Sequence, residues 1–316
     1  MKHVKRLRYG LLFVVCFCVV TFGGLANSSL ANPSIVPGSE RVRSEIEAVR
    51  PRMEVAQATE RPIAPTGDFV RDTLAAPVIC PARLGVLIDN IIDQSTVSAG
   101  RWGIVAESPF SSEPLYSRNA EDFLIPASNI KLLTTAAALQ LLDVTTPSSR
   151  SSLEYRMRII NGNSDNPSAD ALLAQIGGTR SVQDTLLQLG IDPGGYRQVD
   201  GSGLSRNNIA QPKTFVNLLK AMRSAAGNDI FYNSLPVAGS TGTLRNRFQG
   251  TPVAGKVHAK TGTLNGVRAL SGYLEHPEYG EIAFSIVVNQ PGQSGAILLQ
   301  AIDQIVVQLA RVSMCG

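Results

Sequence analysis

Residues 125–139 run Ile125-Pro126-Ala127-Ser128-Asn129-Ile130-Lys131-Leu132-Leu133-Thr134-Thr135-Ala136-Ala137-Ala138-Leu139, and the fold turns on how this stretch is buried. From 128 to 142 it is apolar almost all round, the pattern of a helix enclosed in a core. Lys131 is the only charged residue between Asp122 and Asp143. An ammonium there is costly unless it is paired or used. Ser128 stands three positions earlier, so the two side chains share one helix face, a turn apart. Pro126 stops the helix from extending backwards and leaves Ser128 near the N-terminus. Free N–H groups and the positive dipole end there favour developing negative charge. A serine with a partly desolvated lysine one turn away is a nucleophile with a candidate base. The bland reading is a capping serine and a lysine that snorkels to solvent, and the flanking sequence has to decide.

Downstream, Lys260-Thr261-Gly262-Thr263 ends an expected strand at 256–261. The glycine permits close approach of another backbone or a substrate, and the lysine and two hydroxyls suit a carboxylate. Ser164-Asp165-Asn166 lies where a loop enters a helix, with Asn166 expected as N-cap and Pro167 as the first helical residue. Ser-x-Asn also occurs at Ser117–Asn119, placed in a strand-two turn, and at Ser205–Asn207. Thr241-Gly242-Thr243-Leu244 echoes Thr261-Gly262-Thr263-Leu264, and nothing in the sequence accounts for it.

Around these segments the periodicity predicts a first amphipathic helix on Leu84, Leu87, Ile88, Ile91 and Ile92. Strands follow at 102–107 and 114–117, then the buried Ser128 helix and a polar, Ser-rich break at 147–152. Helices are expected from Asn166 to Gly177, over 179–189 and over 212–226. Strands are expected at 256–261, 267–275 and 281–289, and a last helix at 294–310. This order implies an α+β fold: an antiparallel sheet backed by the terminal helices, with an all-helical lobe at 128–249 inserted into a sheet lobe formed by 80–127 and 250–316.

Ser-x-x-Lys, Ser-Asp-Asn and Lys-Thr-Gly, in that order, are the set shared by class A β-lactamases and penicillin-binding proteins. With 125–139, the runs Val199-Asp200-Gly201-Ser202-Gly203-Leu204-Ser205-Arg206, Leu235-Pro236-Val237-Ala238-Gly239, residues 260–266 and Leu270-Ser271-Gly272-Tyr273 closely resemble the peptidase S13 family. These are low-molecular-mass penicillin-binding proteins with D-alanyl-D-alanine carboxypeptidase and endopeptidase activity, and the resemblance covers essentially all of 80–316. It implies that Ser128 attacks the D-Ala–D-Ala carbonyl of a peptidoglycan stem peptide and that Lys131 takes its proton. Ser164 then relays a proton toward the leaving amine, and Asn166 holds the peptide amide beside Lys131. Lys260, Thr261 and Thr263 receive the terminal carboxylate, and the N–H groups of Ser128 and Thr263 form the oxyanion hole, next to Gly262. β-Lactams are the implied covalent inhibitors, and the Ser205 motif falls into the Gly-Ser-Gly-Leu-Ser-Arg loop. Burial and the charge of Lys260 are both expected to push the Lys131 pKa down. The chain departs from the family where large extra domains usually part the first two motifs: only residues 132–163 lie there.

A β-lactamase needs a glutamate to activate the deacylating water, and no Glu occurs between Glu154 and Glu275. A non-catalytic wall-binding module has no need of a nucleophile. The three histidines and four cysteines have no metal-site spacing, and no cofactor is expected.

Residues 1–31 carry a basic start, an apolar run at 11–25 and a Ser29-Leu30-Ala31 cleavage pattern, as in an export signal. An exported, periplasmic or extracytoplasmic protein follows, touching the membrane through that segment alone if it stays uncleaved. The segment holds four of the 29 basic residues and no acid, so the remainder, with 25 acidic residues, is formally neutral and offers nothing to nucleic acid. Residues 32–79, with six prolines and no sustained apolar face, are expected as a disordered linker. Cys80 and Cys315 flank the first and last helices, and antiparallel packing of those helices predicts a disulfide between them.

Overall fold

The computed structural model describes residues 79–110 and 113–315; the expected export signal and the linker up to residue 78 lie outside the described residues. The chain opens with α1 (Pro81–Ile92), followed by the antiparallel pair β1 (Arg101–Glu107) and β2 (Tyr116–Arg118). It then leaves the sheet for α2 (Ile130–Leu141), α3 (Pro147–Met157), α4 (Asn166–Gln175) and α5 (Gly178–Gln188). A short ribbon of β3 (Tyr196–Arg197) and β4 (Ile209–Ala210) precedes α6 (Pro212–Met222) and α7 (Asn228–Ser234). The chain returns as β5 (Val257–Leu264), β6 (Val267–His276) and β7 (Gly280–Asn289) and closes with α8 (Gly295–Leu309). The sheet has five strands in the order β2-β1-β7-β6-β5, antiparallel throughout.

Period-two alternation makes this sheet two-faced. Ile282, Phe284, Ile286 and Val288 of β7 join Trp102, Ile104, Leu270 and Leu274 in a core shared with Ile88 of α1 and Leu298 and Ile302 of α8. Val105, Tyr273 and Ala283 point the other way, into a second core with Leu132, Leu133, Val182, Phe215 and Leu219 from the helical lobe. The register aligns Val105, Ser285, Ser271 and Lys260 in one row across the sheet. Since Val105 faces the lobe, this row carries Lys260 to the same side.

Four sequence expectations are corrected. The Ser-rich stretch at 147–152 is the start of α3: Pro147 sits in its first turn, and only Leu153 and Met157 bury, too few for a visible period. The lobe is not all-helical, because β3 and β4 pair within it. α7 was not anticipated; it begins after Gly227, at φ 68°, and is held by buried Ile230 and Phe231. The Lys260–Thr263 segment lies inside β5, which continues to Leu264.

Ile79 pairs with Val312, so the start of α1 and the end of α8 lie together. Cys80 and Cys315 are joined there, with Cα atoms 5.4 Å apart and a sequence separation of 235. A crosslink over so long a loop restricts the unfolded chain, and 2–4 kcal/mol is the usual size, about 5–10 °C in Tm for a domain of this length. Calorimetry with and without a reductant is expected to show that drop. Equal melting temperatures would mean that the bond contributes nothing.

Candidate active site

Ser128 lies in a single 3-10 turn, Ala127–Asn129, that leads directly into α2. Ala127 adopts φ 48°, a left-handed conformation that costs a non-glycine residue of order 1 kcal/mol or more. Two glycines hold the turn in place. A Cβ on Gly203 would lie 2.1 Å from the Ala127 carbonyl oxygen, and one on Gly262 would lie 2.5 Å from that of Pro126. From below, Asn129 Nδ2 donates to Ser271 Oγ at 2.6 Å, and Ser271 and Ser285 share a hydrogen bond of 2.8 Å, all three residues being fully buried. The polar row of the sheet therefore anchors the residue next to the serine.

Lys131 is fully buried, and its Nζ faces three acceptors: Ser128 Oγ at 2.9 Å, Asn166 Oδ1 at 2.7 Å and the Ser202 carbonyl oxygen. Burial lowers its pKa to about 8, against the opposing pull of Asp170, Asp200 and Asp165. Lys260 is also fully buried; its Nζ donates to Ser164 Oγ at 2.8 Å and to the Thr261 carbonyl at 2.9 Å. Its pKa falls well below the usual lysine range through burial and the charge of Lys131. This corrects the expectation that Lys260 depresses Lys131. Burial is the lowering cause at Lys131, and the repulsion between the two ammoniums falls on Lys260.

Ser164 follows a π-helical turn, Arg158–Gly162, and has φ 60°, a second left-handed non-glycine beside the site. The cap of α4 is Asp165, whose side chain accepts from the Ser168 N–H at 2.8 Å, rather than Asn166. The shift by one residue matters, because it frees the Asn166 amide for Lys131.

The loop at 199–205 is fixed from within. Asp200 accepts from Gly203 N at 2.6 Å, Ser205 N at 2.7 Å and Asn208 Nδ2 at 2.9 Å, while Asp170 accepts from Gly201 N at 2.8 Å. Sequence reasoning missed the Ser202 carbonyl, since a backbone acceptor leaves no mark on residue identity. Ser205–Asn207 belongs to this loop, and Ser117 lies in β2 opposite Val105, away from β5. His258 stacks on Tyr232 with ring centroids 4.4 Å apart, and His276 Nδ1 accepts two backbone N–H bonds, so both serve packing.

β5 is the sheet edge. Its Ala259 N–H donates to Pro236 O, and its Val257 carbonyl accepts from Ala238 N, both away from β6. Alternate residues of a strand aim their backbone groups at the same edge, so the N–H groups of Thr261 and Thr263 also point outward. Residues 236–238 cover the first half of that edge and leave the second half beside the Ser128 turn. The Thr261 hydroxyl donates to Thr243 Oγ1 at 2.8 Å, and Thr263 is exposed. Among the described residues no group of three potential metal ligands occurs.

The D-alanyl-D-alanine carboxypeptidase of Actinomadura sp. (strain R39) is 45% identical over 163 residues, 46% of this chain and 30% of that protein. The penicillin-sensitive carboxypeptidase A of Dictyostelium discoideum is 38% identical over 141 residues, 42% of this chain and 26% of that protein. The aligned part spans less than a third of either relative. Among solved structures, penicillin binding protein 4 of Haemophilus influenzae complexed with a novel β-lactam aligns with TM-score 0.61 and 14% identity, over 72% of this chain and 99% of that one. A class A β-lactamase from Bacteroides cellulosilyticus aligns with TM-score 0.58 and 17% identity, over 73% and 99%. At such identities these two likenesses concern the fold, a penicillin-binding/β-lactamase-like one. The sequence profile of the D-Ala-D-Ala carboxypeptidase 3 (S13) family matches residues 86–149 and 146–312, and the chain belongs to that family.

Proposed function

We propose that the chain is a serine D-alanyl-D-alanine carboxypeptidase, with endopeptidase activity on cross-linked stems, acting on peptidoglycan stem peptides through a Ser128 acyl-enzyme. The observation that carries this reading is the surroundings of the Lys131 amine. A neutral amine has two hydrogens and one lone pair. Asn166 Oδ1 and the Ser202 carbonyl accept the two hydrogens, which leaves the lone pair aimed at Ser128 Oγ, 2.9 Å away. A lysine kept only for packing has no need of that arrangement.

The chemistry follows in balanced steps. Lys131 takes the Ser128 proton as Oγ bonds to the penultimate D-Ala carbonyl carbon. The oxyanion is received by the Ser128 and Thr263 N–H groups. The C–N bond then breaks, and the proton passes from Lys131 through Ser164 to the departing amine of D-Ala. Because Lys260 donates to Ser164 Oγ, the hydroxyl hydrogen of Ser164 is free to point elsewhere. Water hydrolyses the ester and restores Ser128. The substrate carboxylate lies against Lys260, Thr261 and Thr263 and favours the charged form of Lys260.

β-Lactams are expected to acylate Ser128 and stay. The leaving group remains tethered, and residues 155–274 hold no glutamate. The nearby carboxylates of Asp165, Asp170 and Asp200 are each committed to backbone N–H groups. The signal-like residues 1–31 and the disulfide support an extracytoplasmic location; among the described residues no helix is long and apolar enough to cross a membrane. Residues 132–163 are taken up by α2, α3 and the π-helical turn, too short a stretch for an inserted domain, so activity on small soluble pentapeptides is expected, with less discrimination between free and cross-linked stems.

Purified protein is expected to release D-Ala from a D-Ala-D-Ala pentapeptide and to gain one penicillin mass by intact-mass spectrometry. Ser128→Ala should abolish the adduct, Lys131→Ala nearly so, and Lys260→Ala should weaken labelling. An unmodified wild type at saturating drug would fit a non-catalytic wall-binding module. Rapid loss of the adduct would fit a β-lactamase. An adduct that survives Ser128→Ala would sink the assignment.

The pH profile gives an independent check. Lys131 must be neutral to act, and burial lowers its pKa to about 8, so acylation should accelerate as pH rises through that value. The groups facing Lys131 are Asp165, Asp170, Asp200 and Lys260. Asp170→Asn keeps an acceptor for Gly201 N but removes a charge that holds the proton on. The limb should therefore move to lower pH; an unmoved limb would assign it to another group.

A further inference from the structure

The Thr241–Leu244 echo finds its partner in the fold. Residues Gly242–Leu244 form a 3-10 turn facing β5, and Thr261 Oγ1 donates to Thr243 Oγ1 at 2.8 Å. The turn is held on every side. Thr241 Oγ1 accepts from Val237 N at 3.0 Å, Gly239 N donates to Leu244 O at 3.0 Å, and Leu244 is fully buried. Gly242, at φ 54°, lies so close to Gly162 that a Cβ would come within 2.4 Å of its carbonyl oxygen. Gly162 ends the π-helical turn just before Ser164. Thr243 thus stands between β5 and the segment carrying Ser164, with its exposed side chain on the hydroxyl of Thr261.

We propose that Thr243 is a positioning residue of the carboxylate subsite, acting by pairing with Thr261 and turning the Thr261 hydroxyl hydrogen toward the bound carboxylate. This rests on the proposed role of Lys260, Thr261 and Thr263. Each hydroxyl has one hydrogen and accepts twice. In the free protein the Thr261 hydrogen is spent on Thr243. A carboxylate can only accept, so its arrival reverses the pair: Thr243 donates to Thr261, and Thr261 donates to the anion. Two hydroxyls polarised in series bind an anion more strongly than one. Thr243→Val keeps the shape and removes the donor, which leaves Thr261 without support on that side.

The test compares wild type, Thr243→Val and Thr243→Ser in D-Ala release from the pentapeptide and in acylation by benzylpenicillin and its methyl ester, which lacks the charged carboxylate. Thr243→Val should raise KM by about tenfold, the scale of one hydrogen bond to a charged group, with the loss in KM rather than kcat. It should slow benzylpenicillin by a similar factor while changing the methyl ester little, and Thr243→Ser should restore both. Unchanged kinetics in Thr243→Val, beside an active wild type, would overturn the inference and leave the proposed function standing. Equal loss with penicillin and its ester, or no rescue by serine in a variant that melts like wild type, would show a role in shape alone and also overturn it. A wild type that neither releases D-Ala nor forms the adduct would instead sink the function on which the inference rests.

Discussion

The site depends on a close contact between backbones. The turn carrying Ser128 is pressed between Gly203 of the lobe and Gly262 of the sheet, where a single Cβ on either would collide with a carbonyl of the turn. Only that approach brings three separate chain segments to one place. The left-handed Ala127 costs free energy that local sequence does not recover; tertiary packing on both sides offsets it. The buried Asn129–Ser271–Ser285 network supplies direction, since a hydrogen-bonded polar group in a core has far fewer acceptable positions than an apolar one. Both devices act on the residues flanking Ser128, which leaves its hydroxyl to Lys131.

The topology explains how lysines from distant segments meet. Lys131 follows Ser128 on α2, and Lys260 comes from an edge strand 129 positions later. The sheet register, not proximity in the chain, turns Lys260 toward the lobe, because its row runs through Ser271 and Ser285 to Val105. An edge strand also keeps outward N–H groups unclaimed by a neighbour. β5 is capped by residues 236–238 over its first half, so the open stretch coincides with Thr261–Thr263.

Much of this was legible beforehand. Long periodic segments such as α1, α8 and the three late strands were placed within a few residues, because burial on one face marks every second or every third to fourth residue. α3 and α7 were not, since each anchors through two or three side chains and leaves no period to read. The serine–lysine pair was visible because a charge in an apolar helix is anomalous. The Ser202 carbonyl was not, because backbone carries no residue identity. The cap of α4 is Asp165 and not Asn166: both residue types are good caps, and the Asn166 side chain is taken up by Lys131. The Thr-Gly-Thr-Leu echo has no account in the sequence; in the fold Thr243 of one copy meets Thr261 of the other, 18 positions on.

The cost of Lys260 bears on what the site is for. Among the described residues its partners are neutral oxygens, from Ser164 and Thr261, and no carboxylate stands within ion-pair reach. Burial and the neighbouring charge of Lys131 hold its pKa well below the usual lysine range. Folding alone offers no gain from such a residue, because an apolar side chain of equal size would fill the same space at less cost. The balance changes only when an anion arrives from outside. A carboxylate beside Thr261 and Thr263 would supply the missing counter-charge, favour the charged form of Lys260 and strengthen every bond it makes. In the proposed reading the protein therefore holds an electrostatic vacancy that the substrate's terminal carboxylate completes. Recognition is then coupled to catalysis through Ser164, because the group that senses the carboxylate also directs the hydroxyl that relays the proton.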